Sequence, residues 1–506
     1  MTVITSARRA GEEGIAMVLA LFMVMAMSVL GTSLMFVSKT ETLSSHNYRL
    51  MSQTRYGAES GVHVAANYLL SSAYTDVKPG SAGDPLSNYV FTSSPVTYNG
   101  APVVLAYPSS ASNYPISSVK TAFAALYASN VYGTLSVKDA PVKVAATATL
   151  MSMRQLTDSV TGQPIVVQTW ELAGAGTVTG ARDAAVSVSS LMEQQTAPVY
   201  SYAAFAQDKG CAALDFGGGA TTNSYDSTAA LSSGVPVLSN TFGNVGTNGN
   251  LKEVGSTTII HGSLSTPRSG VGTCDDVQNV TALTQSGGAT VDQGLIQLSQ
   301  AITFPTPPAP NPLPPTTTSD FKQNSGCPAG AAYCAASADG ATFTPPTSSS
   351  VVTLGNVVMN AQAIIHLNAG IYVVNSLLQN GNAQIIVDSG PVIINVAGVG
   401  QTTPVTINGG GLVNTAASGG YKPENLQLIY GGTGTVKLNG GSGTSALIYA
   451  PNAIGTISGG GDIYGAVIMK RISDTGGAAI HYDRNLNKSF VTAGNYVMTA
   501  FTWNSY

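Results

Sequence analysis

Charge is what this chain has least of. Only 9% of its 506 residues are Asp, Glu, Lys or Arg, where globular domains carry about 25%. The 21 basic and 25 acidic residues leave a net charge of −4 and form no dense Lys/Arg block. That excludes a nucleic-acid partner held by clustered positive charge. A hydrophobic fraction of 44% excludes charge-driven disorder for most of the chain. There are only four cysteines, without CxxC or Cys–His zinc spacing. The five histidines (His46, His63, His261, His366, His481) are scattered without metal-ligand spacing. No GxSxG elbow, P-loop or dinucleotide fingerprint occurs, so no cofactor is expected. What is plentiful is glycine, at 56 residues, together with Ser, Thr, Asn and Ala. This is the composition of a β-rich, extracytoplasmic chain with many turns, long enough for about three domains.

Proline is also missing from the first 78 residues, so nothing obvious breaks a helix there. Residues 14–38 hold no charge, and as a helix they span roughly 37 Å, more than a bilayer core of about 30 Å. Arg8 and Arg9 precede the run and favour a cytoplasmic N-terminus. Beyond it, Leu43, Leu50, Ala58, Val62, Ala65 and Leu69 fall on one helical stripe. Glu41, Asn47, Arg49, Arg55 and Glu59 fall on the opposite face. The spacing predicts one helix from Gly14 to Ser72, apolar all round in its first half and two-faced in its second.

The segment GIAMVLALFMVMAMSVLGTSLMFVSKTETLSSHNYRLMSQTRYGAESGVHVAANYLL resembles the N-terminal region of PilX-type minor pilin-like proteins of type IV pilus systems. The resemblance is carried by the Gly before the apolar run, Glu41, the Asn47–Arg49 stretch and the segment Tyr56-Gly57-Ala58-Glu59-Ser60-Gly61. It implies a prepilin peptidase that cuts after Gly14 and leaves Ile15 as the first residue, with Gly11 the weaker site. Major pilins carry Glu at mature position five. Here that position is Leu19, which suits a tip or priming subunit better than a shaft subunit. The implied partners are the membrane and other pilins or minor pilins.

In the middle of the chain, Ser117–Ser129 reads as a short helix. Val142–Met153, Ile165–Leu172 and Ala184–Leu191 read as strands, with Gly174, Gly176 and Gly180 placed in a turn between the last two. From about Ala203 onward, short β-branched segments alternate with Gly, Asn and Ser turns. Runs starting at Ile385, Val405, Leu426, Leu447, Ile463 and Ile480 are spaced as successive coils of a solenoid. Asn380, Asn382, Asn408 and Asn439 either form side-chain ladders or take the left-handed conformation at corners, and the corner reading is preferred. The segments IIHLNAGIYVV, QIIVDSGPVIINVAG, LIYAPNAIGTISGGGDIYGAVI and AAIHYDRNL resemble an uncharacterised glycine-rich domain found behind PilX-type helices. That resemblance implies a right-handed parallel β-helix without established catalytic chemistry. Residues 303–350, opening on FPTPPAPNPLPP, read as a polyproline excursion from the coils.

An even cysteine count outside a membrane points to disulfides. Three pairings are possible, and Cys327–Cys334 with Cys211–Cys274 is the preferred one. The acids Asp388, Glu424, Asp462, Asp474 and Asp483 are sparse, and corner amides are their ordinary partners. The chain is therefore not expected to be an enzyme.

The sequence thus predicts an α+β, mostly β chain. A leader (1–14) precedes the helix (15–72) and a pilin-like head region with a small antiparallel sheet (73–200). A first solenoid part (201–302), the Pro-rich excursion (303–350), a second solenoid part (351–486) and a C-terminal strand (487–506) follow. The expected role is a minor pilin-like subunit with a single pass through the inner membrane and an extracytoplasmic head, at the cell surface or pilus tip, adhering to surfaces or glycans. The alternative is a membrane-anchored envelope protein that binds or remodels polysaccharide.

Overall fold

A computed structural model describes residues 12–71, 73–74, 86–107, 109–128, 134–135, 141–157, 164–178, 184–323, 326–414, 420–440 and 444–505. Most of the expected leader, with Arg8, Arg9 and Gly11, lies outside the described residues. The chain divides into two compact units. The first takes in residues up to Leu156, Pro164–Thr196 and those from Ala493 onward; the second contains Ala197–Thr492. The second unit is thus inserted in sequence into the first.

In the first unit, helix α1 spans Glu12–Leu69, about 87 Å. Its stripe buries Leu50, Ala58, Val62, Ala65 and Leu69, whereas Leu43 is 41% exposed. The stripe was expected to begin at Leu43, but burial starts at Leu50, where the sheet first covers the helix. That sheet runs in the order Val491–Ser505, Ala184–Pro198, Pro164–Val178, Val142–Thr157, Val104–Tyr107. Its central strands are longer than their alternating runs suggested. Gly174 and Gly176 lie inside a strand, not in a turn, and pair with Val188 and Val186. Packing is the reason. A Cβ on Gly174 would stand 2.1 Å from the Ala58 carbonyl oxygen, and one on Gly176 2.0 Å from that of Thr54. Only glycine lets the helix backbone lie directly on this strand. The opposing surface of α1 is pared down too, since a Cβ on Gly57 would meet Val142 Cγ1 at 2.7 Å.

Helix α2 (Ser117–Ala128) buries Val119, Phe123 and Tyr127 at four-residue intervals. The Tyr127 hydroxyl donates to the Gly61 carbonyl of α1 at 2.9 Å, and that of Tyr68 on α1 donates to the Val119 carbonyl at 2.9 Å. Buried Gln168 fastens distant parts of this unit. Its Oε1 accepts from the Tyr74 hydroxyl (2.6 Å), Trp170 Nε1 (3.0 Å) and the Tyr496 hydroxyl (2.9 Å).

The second unit is built of short strands in three parallel ladders. One runs Val351–Thr353, Gly370–Val374, Val392–Val396, Leu426–Tyr430 and then residues 447–449. A second runs Thr318–Phe321, Asn356–Met359, Ser376–Gln379, Val405–Gly409 and Thr435–Gly440. A third runs Gly340–Phe343, Ile364–Leu367, Gln384–Val387 and Leu412–Val413. Side chains alternate, so Ile365, Leu367, Ile385 and Val387 fill the core while their neighbours point out. The six strand starts read from the sequence mix positions from different ladders: Val405 pairs with Leu377 and Val436, and Leu426 pairs with Val392.

Spatial order departs from chain order. Residues 467–469, 472–474 and 479–483 pair with Ala204–Ala206, Leu214–Phe216 and Thr221–Tyr225. Those strands in turn pair with Val245–Thr247, Leu251–Val254 and Ile259–Ile260. The chain therefore enters the unit in mid-stack, builds one half outward, crosses to the far end and builds back. Its entry and exit meet where the Val199 amide donates to the Phe490 carbonyl at 2.9 Å.

The crossing is made by the prolines. No strand forms between Leu295–Gln297 and Thr318–Phe321 among the described residues. This segment is tied first to Asn248 and Gln207, through the Ile302 and Phe304 amides, at 2.8 Å each. Next, the Pro305 carbonyl accepts from the Tyr449 hydroxyl at 2.7 Å, and the Thr317 carbonyl accepts from the Asn356 amide at 2.7 Å. Phe304 and Pro307 are buried and Pro310 half-buried, every third residue, as a polyproline helix with three residues per turn requires. The excursion expected over 303–350 is accordingly shorter, because Thr318–Phe321 and Gly340–Phe343 already belong to the ladders.

Candidate functional site

The membrane-type half of α1 is the first candidate. Ile15 through Val37 present large apolar side chains that are 54–74% exposed. The span starting at Gly14 is long and apolar enough to cross a membrane. Two of its hydroxyls are satisfied by the helix itself: Ser28 Oγ donates to the Val24 carbonyl at 2.7 Å and Thr32 Oγ1 to that of Ser28 at 2.9 Å. Such back-bonding suits polar side chains to a medium without water. Gly14 and Ile15, the residues flanking the expected cleavage, lie in the first turns of α1, and a Cβ on Gly14 would meet nothing within 4 Å. Leu19 is 68% exposed.

Both disulfides are formed in the second unit. Cys211 is bonded to Cys274, which ties a long loop to an early corner, and Cys327 to Cys334 beside the hairpin Cys334–Ser337/Gly340–Phe343. Against the corner reading, Asn380, Asn408 and Asn439 form ladders. Asn439 Nδ2 donates to Asn408 Oδ1 at 2.8 Å and Asn380 Nδ2 to Asn360 Oδ1 at 3.2 Å, and none of Asn380, Asn382, Asn408 or Asn439 has a positive φ. Register explains this, because each pair lies one strand apart in the same column.

Register also gathers histidines that look scattered in sequence. Apart from the third ladder, Tyr464, His481 and Asn223 are successive register partners, and His261 and Asp292 extend the column beside the paired Ile260 and Val291. His481 Nδ1 lies 2.5 Å from Asn223 Oδ1, and His261 Nδ1 lies 2.6 Å from Asp292 Oδ2. His481 Nε2 faces Asp462 Oδ1 at 3.6 Å. His366 is flanked by Asp388 at 3.0 Å and Asp339 at 3.6 Å. Among the described residues no group of three or more His, Cys, Asp or Glu is arranged to hold a metal ion.

An inward column on the second ladder holds two buried acids. Asp474, Phe216, Glu253 and Gln285 are consecutive register partners. Burial pushes the Glu253 carboxyl up to about 7, against a lowering hydrogen bond from Gln285. Burial likewise raises Asp474 to about 7, against hydrogen bonds from the Ala478 and Gly476 amides. Asp483 accepts from the Ser227 and Asn485 amides, at 3.1 and 3.2 Å. Asp474 and Asp483 thus serve corner amides.

Residues 13–63 match the family model described as PilX N-terminal, and residues 367–489 match a domain of unknown function (DUF7305). No curated protein matches the chain. Among solved structures, the competence-associated pilin ComZ from Thermus thermophilus aligns at 12% identity over 90% of this chain and 98% of that one, with a TM-score of 0.18. The two family matches fall on different regions: the N-terminal segment of α1 is similar to the PilX N-terminal family, and the later ladders from residue 367 are similar to a domain of unknown function.

Proposed function

We propose that this chain is a minor pilin-like subunit of a type IV pilus or a related filament. It is held in the inner membrane by α1 before assembly and presents its second unit outside the cell. The observation that carries the reading is the continuity of α1. An exposed, proline-free apolar half runs without interruption into a half clamped to a sheet by glycine-to-backbone contact. A simple anchor has no need of that second half. A prepilin peptidase would cut between Gly14 and Ile15, and Ile15–Val37 would then pack among the helices of other pilins. With Leu19 in place of a carboxylate, the subunit suits a tip or priming position.

The second unit is read as a right-handed parallel β-helix. Its support is the three ladders, together with the strong preference of parallel crossovers for the right hand. Its role would be structural or adhesive, toward surfaces or glycans, without catalysis or a cofactor. Deleting residues 14–37 tests the proposal. The truncated chain should accumulate as a folded, detergent-free protein and vanish from sheared filaments; its persistence in filaments would overturn the reading.

A further inference from the structure

A buried polar atom without a hydrogen bond calls for an explanation, and a bound ion is one of the ordinary ones. His481 Nε2 is such an atom: the residue is 3% exposed and this nitrogen has no hydrogen-bond partner. Asp462 Oδ1 faces it at 3.6 Å, too far for a hydrogen bond. The separation is that of two ligands on one tetrahedral ion, since a nitrogen and an oxygen each about 2.0–2.2 Å from a metal stand about 3.3–3.6 Å apart. The other ring nitrogen is set for the same task. His481 Nδ1 lies 2.5 Å from Asn223 Oδ1, and an amide oxygen only accepts, so Nδ1 carries the proton. In the neutral ring the lone pair is then on Nε2, turned toward Asp462. A metal-bound histidine is ordinarily fixed in this way, by an oxygen that takes its second N–H. His366 has a similar outline and different chemistry. Both its nitrogens face carboxylates, Asp388 at 3.0 Å and Asp339 at 3.6 Å, and these favour a protonated ring in an ion pair.

The surroundings complete the distinction. The Tyr464 ring lies 4.5 Å from that of His481, and Tyr421 and Tyr225 pack against Tyr464 at 4.6 and 5.5 Å. All three tyrosines are buried, so the imidazole is walled by aromatic rings that hold its orientation. Asp462, whose side chain is 47% exposed, is the open side, through which an ion and its waters enter. We infer that His481 Nε2 and the Asp462 carboxylate bind a divalent transition-metal ion of the zinc type, with water in the remaining positions. Imidazole selects this class over calcium or magnesium, which take oxygen donors. Two protein ligands make an exchangeable site, unlike the groups of three or more His, Cys, Asp or Glu that the described residues do not form. Asp462 leads into Ile463–Asp474, His481 sits in Ala479–Asp483 and Asn223 in Thr221–Tyr225. These strands are register neighbours where the last part of the unit meets the first. The ion thus fastens the seam that closes the stack, a structural role. The inference is independent of the pilus assignment.

The test uses the untagged full chain in detergent micelles, freed of metal by chelation, with zinc ions as the probe. Equilibrium dialysis should show zinc binding, and amide hydrogen exchange at residues 479–483 should slow about tenfold when zinc is added. Asp462→Asn, at a half-exposed position, should abolish both effects while leaving the circular dichroism unchanged. Asn223→Ala should lower zinc affinity by about 10–100-fold, the range for losing a group that orients a ligand. His366→Gln should leave the affinity as it was. Absence of binding at millimolar zinc would overturn the proposal, as would binding and protection that survive Asp462→Asn. Binding lost in His366→Gln and kept in Asp462→Asn would reveal an adventitious ion only, at the other histidine, and would overturn it too.

Discussion

Glu253 shows how a single residue sets conditions for the whole second unit. It sits in an inward column with Oε2 buried and without a hydrogen-bond partner, so its ionised form is costly. A carboxyl raised to about 7 in the fold and near 4.3 when unfolded binds more protons folded. Its contribution is therefore most favourable below the unfolded value and is lost as pH rises from about 4.5 to 7. Glu253→Gln should stabilise the unit at pH 7.5 by about 3 kcal/mol and flatten the pH dependence over that window, as read by chemical denaturation at several pH values. Asp474 acts in the same direction, but Asp474→Asn should gain less, because that carboxyl also caps backbone amides. At Gly176 the sign reverses. Gly176→Ala drives a methyl into the Thr54 carbonyl and should cost about 3 kcal/mol, read as loss of protection in Pro164–Val178 and the second half of α1.

At the scale of elements, the two disulfides close loops of very different length, with separations of 63 and 7 residues. By chain entropy, removing Cys211–Cys274 should cost about 4 kcal/mol and removing Cys327–Cys334 about 2.5 kcal/mol. Paired Cys→Ser variants and denaturant midpoints check the order. The polyproline strap makes its own prediction. Phe304 is buried against Phe205 and Tyr449, so Phe304→Ala should cost about 3–4 kcal/mol and raise exchange at residues 302–307.

Elements also divide what the sequence reveals from what it hides. The stripe from Leu50 to Leu69 is legible because a helix repeats every 3.6 residues and its buried face must follow. Gly174 and Gly176 mislead because glycine marks a turn and a close backbone approach with the same letter. The recurrence of short parallel strands is legible, but their even spacing is not that of one ladder: Val405 and Leu426 sit on different ladders, since a strand start does not say which face it belongs to. The pairing of Ala479–Asp483 with Thr221–Tyr225 has no local signature at all. For that reason the column containing His481 and His261 looks like scatter until register assembles it.

For the molecule as a whole, the insertion matters most. The sheet strand Val491–Ser505 returns after almost 300 residues of inserted chain, and buried Gln168 grips its Tyr496 hydroxyl. The first unit is therefore completed only when the second has been traversed. Truncation after residue 486 should remove that strand and the Tyr496 contact, and leave the first unit sensitive to proteolysis even where the ladders stay intact. The apolar half of α1 makes the other whole-chain demand, since side chains such as Phe22 and Phe36 require a membrane or a bundle of other helices.

The filament account is tested most directly by the N-terminal mass of this chain recovered from sheared, washed filaments. A chain that begins at Ile15 and co-purifies with the filaments is the predicted result. A chain recovered solely in the membrane fraction with residues 1–14 still attached would contradict it.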